Sequence, residues 1–176
     1  MEKKSKPKGA KTNRSETLSI RLDPKLRYLT ELGARLHRRS LSSFIEWAIE
    51  DVLKKTYLDQ GNNNGFHHED RLNIIEEAGF LWDIDESDRL VKLALRHPSL
   101  LTHEEQIVWK LIRENGSLWK GKFVNNEWTW TVHEPSFIYE RLREHWDQFL
   151  AVARGESGKE TLPGWKKTQE QSEFPF

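Results

Sequence analysis

The sequence contains no cysteine, which excludes a disulfide framework, thiolate catalysis and cysteine-ligated metal sites. It also lacks an apolar run of membrane-spanning length and a secretory leader pattern. Neither a phosphate-binding glycine loop nor a nucleophile-elbow motif occurs in it. These absences predict a cytoplasmic protein that has no membrane partner, no cofactor and no enzymatic activity.

Histidine, the remaining common metal ligand, is present but has no recognised ligand spacing. The densest group of possible ligands is a run of four residues, His67, His68, Glu69 and Asp70, whereas His97, His103, His133 and His145 are scattered. Adjacent histidines on a helix point to different sides, so we expect no metal site. Glu140 and Glu144, four residues apart, are typical of an ordinary exposed helix pair.

The charge balance is neutral overall but uneven along the chain. The 28 basic and 28 acidic side chains cancel, yet residues 1–55 hold 14 basic and 7 acidic ones, a net charge of +7, which leaves −7 for the rest. A basic module joined to an acidic one indicates a nucleic-acid face and a separate partner or assembly face. Residues 1–14 combine lysines with proline and glycine, and we expect a disordered basic arm there that adds affinity for DNA.

A polar–apolar alternation covers residues 17–22. A period of two predicts a strand with one apolar and one polar face, Leu18, Ile20 and Leu22 lying opposite Thr17, Ser19 and Arg21. No nearby segment offers this strand a partner, and an isolated ribbon is marginal in water. We therefore expect a second copy of the chain to complete it, as a homodimer.

Two amphipathic helices follow this segment at once. Asp23 and Pro24 are an N-cap and first-turn pair for a helix that runs to about His37. Ser40 is a second N-cap, for a helix that ends near Lys54 and Lys55. Their apolar stripes, together with the strand, predict this dimer core: Leu18, Ile20, Leu22, Leu29, Leu36, Phe44, Ile45, Ala48 and Ile49.

Strand, helix, tight turn and helix in this order resemble the ribbon-helix-helix (Arc/MetJ/CopG-like) family of DNA-binding proteins. The resemblance depends on the ribbon at residues 17–22, the cap Asp23-Pro24 and the serine-rich start of the second helix, and it covers roughly residues 15–55. The family's turn often has a glycine where this chain has Arg38 or Arg39. The C-terminal part of the chain resembles no family that we recognise.

The resemblance implies a two-stranded ribbon, one strand from each protomer, in the major groove of double-stranded DNA. Thr17, Ser19 and Arg21 would then read bases, with Arg21 contributing on the order of 1–3 kcal/mol of discrimination through a bidentate contact to guanine. Phosphate contacts would come from the second helix N-terminus and the basic arm, through Arg38, Arg39, Ser40, Ser42, Ser43, Lys11 and Arg14.

The remaining sequence predicts an α+β, mainly α protein. We expect a ribbon-helix-helix module at 15–56, a linker at 57–67, a Trp-rich α+β domain at 68–153 and a disordered tail at 154–176. Within the Trp-rich domain the patterns predict helices at 68–78, 86–97, 102–115 and 135–153, the third of them capped by Thr102 with Glu105 at capping-box spacing. A β-hairpin is predicted from 117–124 and 127–132.

The Trp-rich domain permits several interpretations. Its tryptophans can form a core, a ligand cage or a protein-binding hot spot, and helix–hairpin–helix order is a weak analogy to winged helices. The domain can join dimers into tetramers or bind a protein partner. Trp165, Phe174 and Phe176 in the tail are candidate docking anchors.

The sequence thus favours a sequence-specific transcriptional regulator, most simply a repressor. One alternative is a plasmid transfer or partition accessory protein, or an antitoxin, that uses the same DNA-binding module. Another is a protein-interaction module whose ribbon serves only for dimerisation.

Overall fold

A computed structural model describes residues 18–58, 72–125 and 127–164 of the chain. The chain divides into two compact units, unit 1 up to Lys55 and unit 2 from Thr56 onward. The described residues form six α-helices and one small two-stranded antiparallel sheet, so the mainly helical α+β class is confirmed. None of the described helices combines the length and the apolar character that crossing a membrane requires. The predicted basic arm, and the His67–Asp70 group with most of the predicted linker, lie outside the described residues.

Unit 1 contains two helices, α1 (Pro24–Leu36) and α2 (Leu41–Lys54). The Asp23 carboxylate accepts hydrogen bonds from the N–H groups of Lys25 and Leu26, both at 3.0 Å, and the Ser40 hydroxyl accepts one from Ser43 at 3.2 Å. Both predicted N-caps are therefore confirmed. The helices meet at Gly33, where the Phe44 ring lies so close that a Cβ atom would come within 2.6 Å of Cζ.

Unit 2 builds its core from α4 (Glu86–Arg96), α5 (His103–Glu114) and α6 (Tyr139–Ala153), with α3 (Ile74–Leu81) packed against α4. The buried core residues are Leu90, Val91, Ala94, Leu101, Val108, Trp109, Leu111, Ile112, Leu118, Trp119, Phe137, Leu142 and Phe149. Two tryptophans, Trp109 and Trp119, thus belong to the core, which is the commonest role for this residue type. The predicted capping box of Thr102 and Glu105 is confirmed, with hydrogen bonds of 2.7 and 3.3 Å.

The hairpin consists of β1 (Gly121–Val124) and β2 (Glu127–Trp130), with Gly121 opposite Trp130 and Val124 opposite Glu127. Asn125 begins the turn at a φ of +50°, the left-handed conformation that two-residue hairpin turns require. The predicted hairpin is confirmed, although both strands are shorter than the alternation indicated. Residues 116–118 instead form a 3-10 turn.

Several predicted boundaries in unit 2 need correction. α3 begins at Ile74 rather than at residue 68, because Asn73 and Glu76 form a capping box there. α6 begins at Tyr139 rather than at 135, because residues 134–136 form a 3-10 turn. The folded part also extends past residue 153, since Leu162 packs against the core and the Pro163 carbonyl accepts hydrogen bonds from Asn115 and Ser117. Tyr57 and Leu58, which we expected in the linker, pair with residues 72 and 73 in unit 2.

Candidate nucleic-acid interface

The predicted ribbon does not form a strand in the described part of the single chain. Of its residues the structure describes 18–22, to which it assigns no strand, and Thr17 lies outside the described part. Leu18 is 76% exposed, and Ile20 and Leu22 are also exposed. Apolar side chains this accessible at alternate positions lack the cover that a half-buried strand needs.

Ile20 and Leu22 line an apolar cavity of about 370 Å³ together with side chains of both helices. The helical members of the lining are Leu26, Thr30, Phe44, Ile45, Ala48, Ile49, Val52 and Leu53. Its only polar member, Thr30, donates its hydroxyl hydrogen to the Leu26 carbonyl at 2.7 Å, and so offers little to water. This part of the ribbon segment and the two helices thus present one continuous apolar surface.

The structure brings together six of the nine predicted dimer-core residues at this cavity, namely Ile20, Leu22, Phe44, Ile45, Ala48 and Ile49. Leu18, Leu29 and Leu36 do not line it, and Leu36 is 81% exposed. Leu26, Val52 and Leu53 belong to the lining although the prediction omitted them; they share the helical spacing of the predicted residues and were detectable on that ground.

Unit 1 buries very little of its apolar surface. Ala34 is its only buried apolar residue among those described, and α2 contains no buried residue. A two-helix unit with so small an interior cannot offset the entropy of ordering its chain. The exposed apolar surface therefore requires a cover.

The polar side of the ribbon segment carries Ser19 and Arg21, both exposed. Alternation places them opposite Ile20 and Leu22, so they point away from the apolar cavity. Within the described part of the chain, no carboxylate pairs with Arg21. A guanidinium in this position is available for an external acceptor.

The turn before α2 gathers the predicted phosphate ligands. Arg38, Arg39, Ser40, Ser42 and Ser43 lie within the turn and the first turn of α2, whereas Lys11 and Arg14 lie outside the described residues. The first turn of α2 contains no acidic side chain that would neutralise the helix N-terminus. The N-terminal N–H groups and two arginines consequently create a positive region suited to an anion.

Arg39 is held in place by its neighbours. Its Nη1 donates to the Ser43 hydroxyl at 3.5 Å, and its guanidinium lies 5.7 Å from the centre of the Trp47 ring. Trp47 in turn packs against Phe44 and His37, with ring centres 5.6 and 4.8 Å away. The prediction omitted Trp47, although its position four residues after Ser43 places both on one helix face.

Ion pairs in unit 1 lie away from this turn. Arg27 pairs with Glu31 at 3.3 Å, and Lys55 pairs with Asp51 at 2.5 Å near the end of α2. Arg38 and Arg39 have no carboxylate partner among the described residues. Among the described residues of unit 1, Lys25 and Arg35 also lack a carboxylate partner, and three of the unpaired cations, Arg35, Arg38 and Arg39, lie in the last turn of α1 and the turn that follows it.

Among the described residues of unit 2, one group of carboxylates is close enough together to hold a metal ion, Asp83, Asp85 and Asp88. Cations of the chain already compensate these acids. Lys92 donates to Asp83 at 2.7 Å, and Arg143 contacts both Asp85, at 3.2 Å, and Asp88. The hydrogen bonds to Asp88 raise the pKa of Arg143, as expected for a cation held by anions. We interpret the group as a structural ion-pair network.

Comparison with family models, with curated proteins and with solved structures finds no match to this chain.

Proposed function

We propose that this protein acts as a homodimer that binds double-stranded DNA sequence-specifically and regulates transcription at the nucleoid, most simply as a repressor. The observation that carries the proposal is the segment 18–22. Its apolar side chains Ile20 and Leu22 extend an apolar surface of α1 and α2, while alternation places Ser19 and Arg21 on the other side. A second copy placed on that surface pairs the two segments into a ribbon and covers the cavity of both protomers.

A dimer of this kind satisfies two physical requirements at once. Pairing supplies the backbone hydrogen bonds that the extended segment lacks, and the facing cavities interdigitate into a shared core. The outer face of the ribbon then presents Thr17, Ser19 and Arg21 from each protomer. A two-stranded ribbon fits the major groove, where arginine recognises guanine and hydroxyls adapt to either base-edge pattern.

The turn before α2 supplies the second part of the mechanism. Arg38, Arg39 and the α2 N-terminus would bind phosphates on either side of the ribbon. Such contacts fix the register of the protein on the duplex without reading its sequence. In this division of labour Arg21 determines specificity, and the turn determines affinity and its dependence on salt.

Selection of binding sites from a random duplex library tests the proposal. We would compare the wild type with Arg21→Ala and, as the matched control, Arg27→Ala, which removes an arginine that is paired with Glu31 in the same unit. The wild type and the control should enrich the same short inverted or repeated motif. Arg21→Ala should remain a dimer by sedimentation and lose the G·C preference at one position of each half-site, by about 1–3 kcal/mol per contact.

Two results would contradict the proposal. If the wild type enriches no motif, the sequence-specific function is wrong. If Arg21→Ala selects the same motif with the same affinity as Arg27→Ala, the ribbon does not read bases and only dimerisation remains as its role.

A further inference from the structure

The hairpin of unit 2 has two chemically different faces. Phe123, Trp128 and Trp130 alternate onto one of them, where two indoles donate hydrogen bonds. Trp128 Nε1 donates to the Gly116 carbonyl at 3.0 Å, and Trp130 Nε1 donates to the Arg113 carbonyl at 3.1 Å. The aromatic face therefore attaches the hairpin to the end of α5 and leaves the opposite face outward.

The outward face carries cationic and hydroxyl side chains. Lys122 lies opposite Thr129 in the strand register, and by alternation Lys120 and Thr131 lie on the same side of the hairpin. The 3-10 turn at residues 134–136 borders this face, because the Lys120 N–H donates to the Ser136 carbonyl at 2.7 Å. Together they form a groove of about 500 Å³ lined by Lys120, Gly121, Lys122, Thr129, Trp130, Thr131, His133, Pro135 and Ser136.

The charge of this groove is opposite to that of its surroundings. Residues 56–176 contain 21 acidic and 14 basic side chains, yet the lining includes two lysines, one histidine and no carboxylate. The nearest acids along the chain do not line it. Glu134 accepts a hydrogen bond from the Tyr139 hydroxyl at 3.3 Å, and Glu127 shares the outward face but stands at its turn end, opposite Val124, outside the groove lining.

The two lysines in the groove have hydrogen-bond donors to spare. The Lys120 ammonium reaches only the Pro135 carbonyl, at 3.4 Å, and Lys122 makes no ion pair within the described residues. Three other polar groups of the lining already have partners within the chain. His133 Nδ1 lies 3.1 Å from the Thr131 carbonyl oxygen, the Thr129 hydroxyl donates to the Lys122 carbonyl at 2.9 Å, and the Ser136 hydroxyl donates to the Thr131 carbonyl at 2.6 Å.

We propose that this groove binds a phosphate ester. Two ammonium groups on one strand face are donors that match phosphate oxygens, and the absence of carboxylates in the lining removes repulsion. A phosphate ester of this kind can belong to the backbone of a polynucleotide or to a free nucleotide. The polynucleotide source rests on the proposed function, since it makes the groove a second contact to DNA outside the ribbon.

The polynucleotide source is tested with the full chain and a labelled duplex, by anisotropy between 50 and 200 mM salt. The test variant is Lys120→Gln/Lys122→Gln. Its matched control is Lys110→Gln/Lys159→Gln, which removes two exposed lysines of the same unit that lie near Glu114. The test variant should lower the slope of log affinity against log salt by about two for each protomer whose groove contacts DNA, and so by about four if both do, and should weaken all sequences alike. The control should leave the slope unchanged.

The free-nucleotide source is tested by titrating the full chain with thymidine 5′-monophosphate, and with thymidine as the probe without phosphate. Amide ¹⁵N–¹H signals of Gly121, Lys122 and Thr129 should shift saturably at roughly millimolar nucleotide, the range expected for a few exposed charge contacts. Thymidine should cause no such shift, and the test variant should lose it.

A lowered salt slope assigns the groove to polynucleotides, whereas a saturable nucleotide shift with an unchanged slope assigns it to free nucleotides. The inference is overturned if the test and control variants have the same slope and the nucleotide causes no saturable shift. If the wild type binds no duplex at all, the proposed function fails separately, and the nucleotide titration alone decides on the groove.

Discussion

Replacing Arg38 by glycine should stabilise unit 1, although it removes a side chain. Arg38 has a φ of +52°, and its N–H donates to the Arg35 carbonyl at 3.1 Å while that of Arg39 donates to Ala34 at 2.9 Å. These two bonds define a Schellman motif with Arg38 at the position that usually holds glycine. The left-handed conformation costs an L-residue roughly 1–2 kcal/mol, and glycine adopts it freely.

Part of that gain is lost because glycine makes the unfolded chain more flexible. After this offset we expect Arg38→Gly to stabilise each protomer by about 0.5–1 kcal/mol. Arg39→Gly is the matched control, because the left-handed conformation is confined to Arg38 within this turn. It removes the hydrogen bond to Ser43 and the contact with Trp47, and should destabilise by about 0.5–1 kcal/mol.

The measurement is thermal or urea unfolding of the full chain at one fixed protein concentration, since dimer stability depends on concentration. For a domain of this size, a gain of 1 kcal/mol corresponds to a rise in Tm of about 4–8 °C. DNA affinity should move the other way, because Arg38→Gly removes one predicted phosphate contact from each protomer. If Arg38→Gly lowers Tm as Arg39→Gly does, the turn is not strained at residue 38 and the reasoning is refuted.

Three further predictions test the packing of the two units. Gly33→Ala places a Cβ atom 2.6 Å from Cζ of Phe44, whose ring is confined by His37 and Trp47. The substitution should lower the free energy of unfolding in urea by roughly 1–2 kcal/mol despite the better helix propensity of alanine, and adding Phe44→Leu should restore most of this loss. Burial raises the pKa of Glu77, but hydrogen bonds from Arg96 and the charges of Arg96 and His97 outweigh it and hold the pKa below 4.5. The Glu77 carboxylate therefore contributes its full stabilisation above about pH 4.5, and this contribution is lost as the pH falls through the lower pKa of the folded state. Glu77→Gln should make the Tm of unit 2 less sensitive to acid in a pH series of melts. An unchanged dependence of Tm on pH would contradict this. Arg143→Ala leaves the buried Asp88 carboxylate without its cation and should lower the free energy of unfolding by roughly 3–5 kcal/mol. Asp88→Ala should lower it by less, because the Arg143 side chain that it leaves unpaired can reach water. Equal losses for the two variants would contradict the role of this ion pair in unit 2.

The sequence predicts those elements whose signals are local. Asp23-Pro24, Ser40 and the Thr102–Glu105 pair each satisfy N–H groups within one helical turn, so the helices they begin follow from the sequence alone. The start of α3 is also predictable from the sequence, since Asn73 and Glu76 have capping-box spacing. The histidine and the acidic residues before Asn73 suit a helix as well, which is why the predicted helix begins too early, at residue 68.

Contacts between distant residues are not accessible in this way. Glu77 accepts from Arg96 nineteen residues later, and Arg143 bonds to Asp88 fifty-five residues earlier. Neither pair has a periodic pattern, because the packing of α3, α4 and α6 alone brings them together. The hairpin groove is likewise not predictable from a local pattern. Its cationic face is exposed because Trp128 and Trp130 attach the other face of the hairpin to the end of α5.

The candidate interface falls between these two cases. Alternation over residues 17–22 predicts which side chains are apolar and which are polar, and in the structure Ile20 and Leu22 line the apolar cavity. The pairing of two such segments depends on a second chain, so it remains a prediction. The left-handed turn at Arg38 was not predictable from residue type, since arginine is uncommon there and the Schellman bonds impose the conformation.

The contrast in burial between the two units predicts two unfolding transitions with different concentration dependence. Unit 2 has a core of its own, whereas the described part of unit 1 buries a single apolar side chain, so the proposed dimer must provide most of the stability of unit 1. A tenfold rise in protein concentration adds about 1.4 kcal/mol to dimer formation and should raise the Tm of the unit 1 transition by several degrees. Trp47 is the only tryptophan in residues 1–55, so the difference between wild-type and Trp47→Phe fluorescence melts isolates that transition. Unit 2 should melt at the same temperature at every concentration, and concentration-independent melting of both would show that unit 1 gains its stability without a second copy.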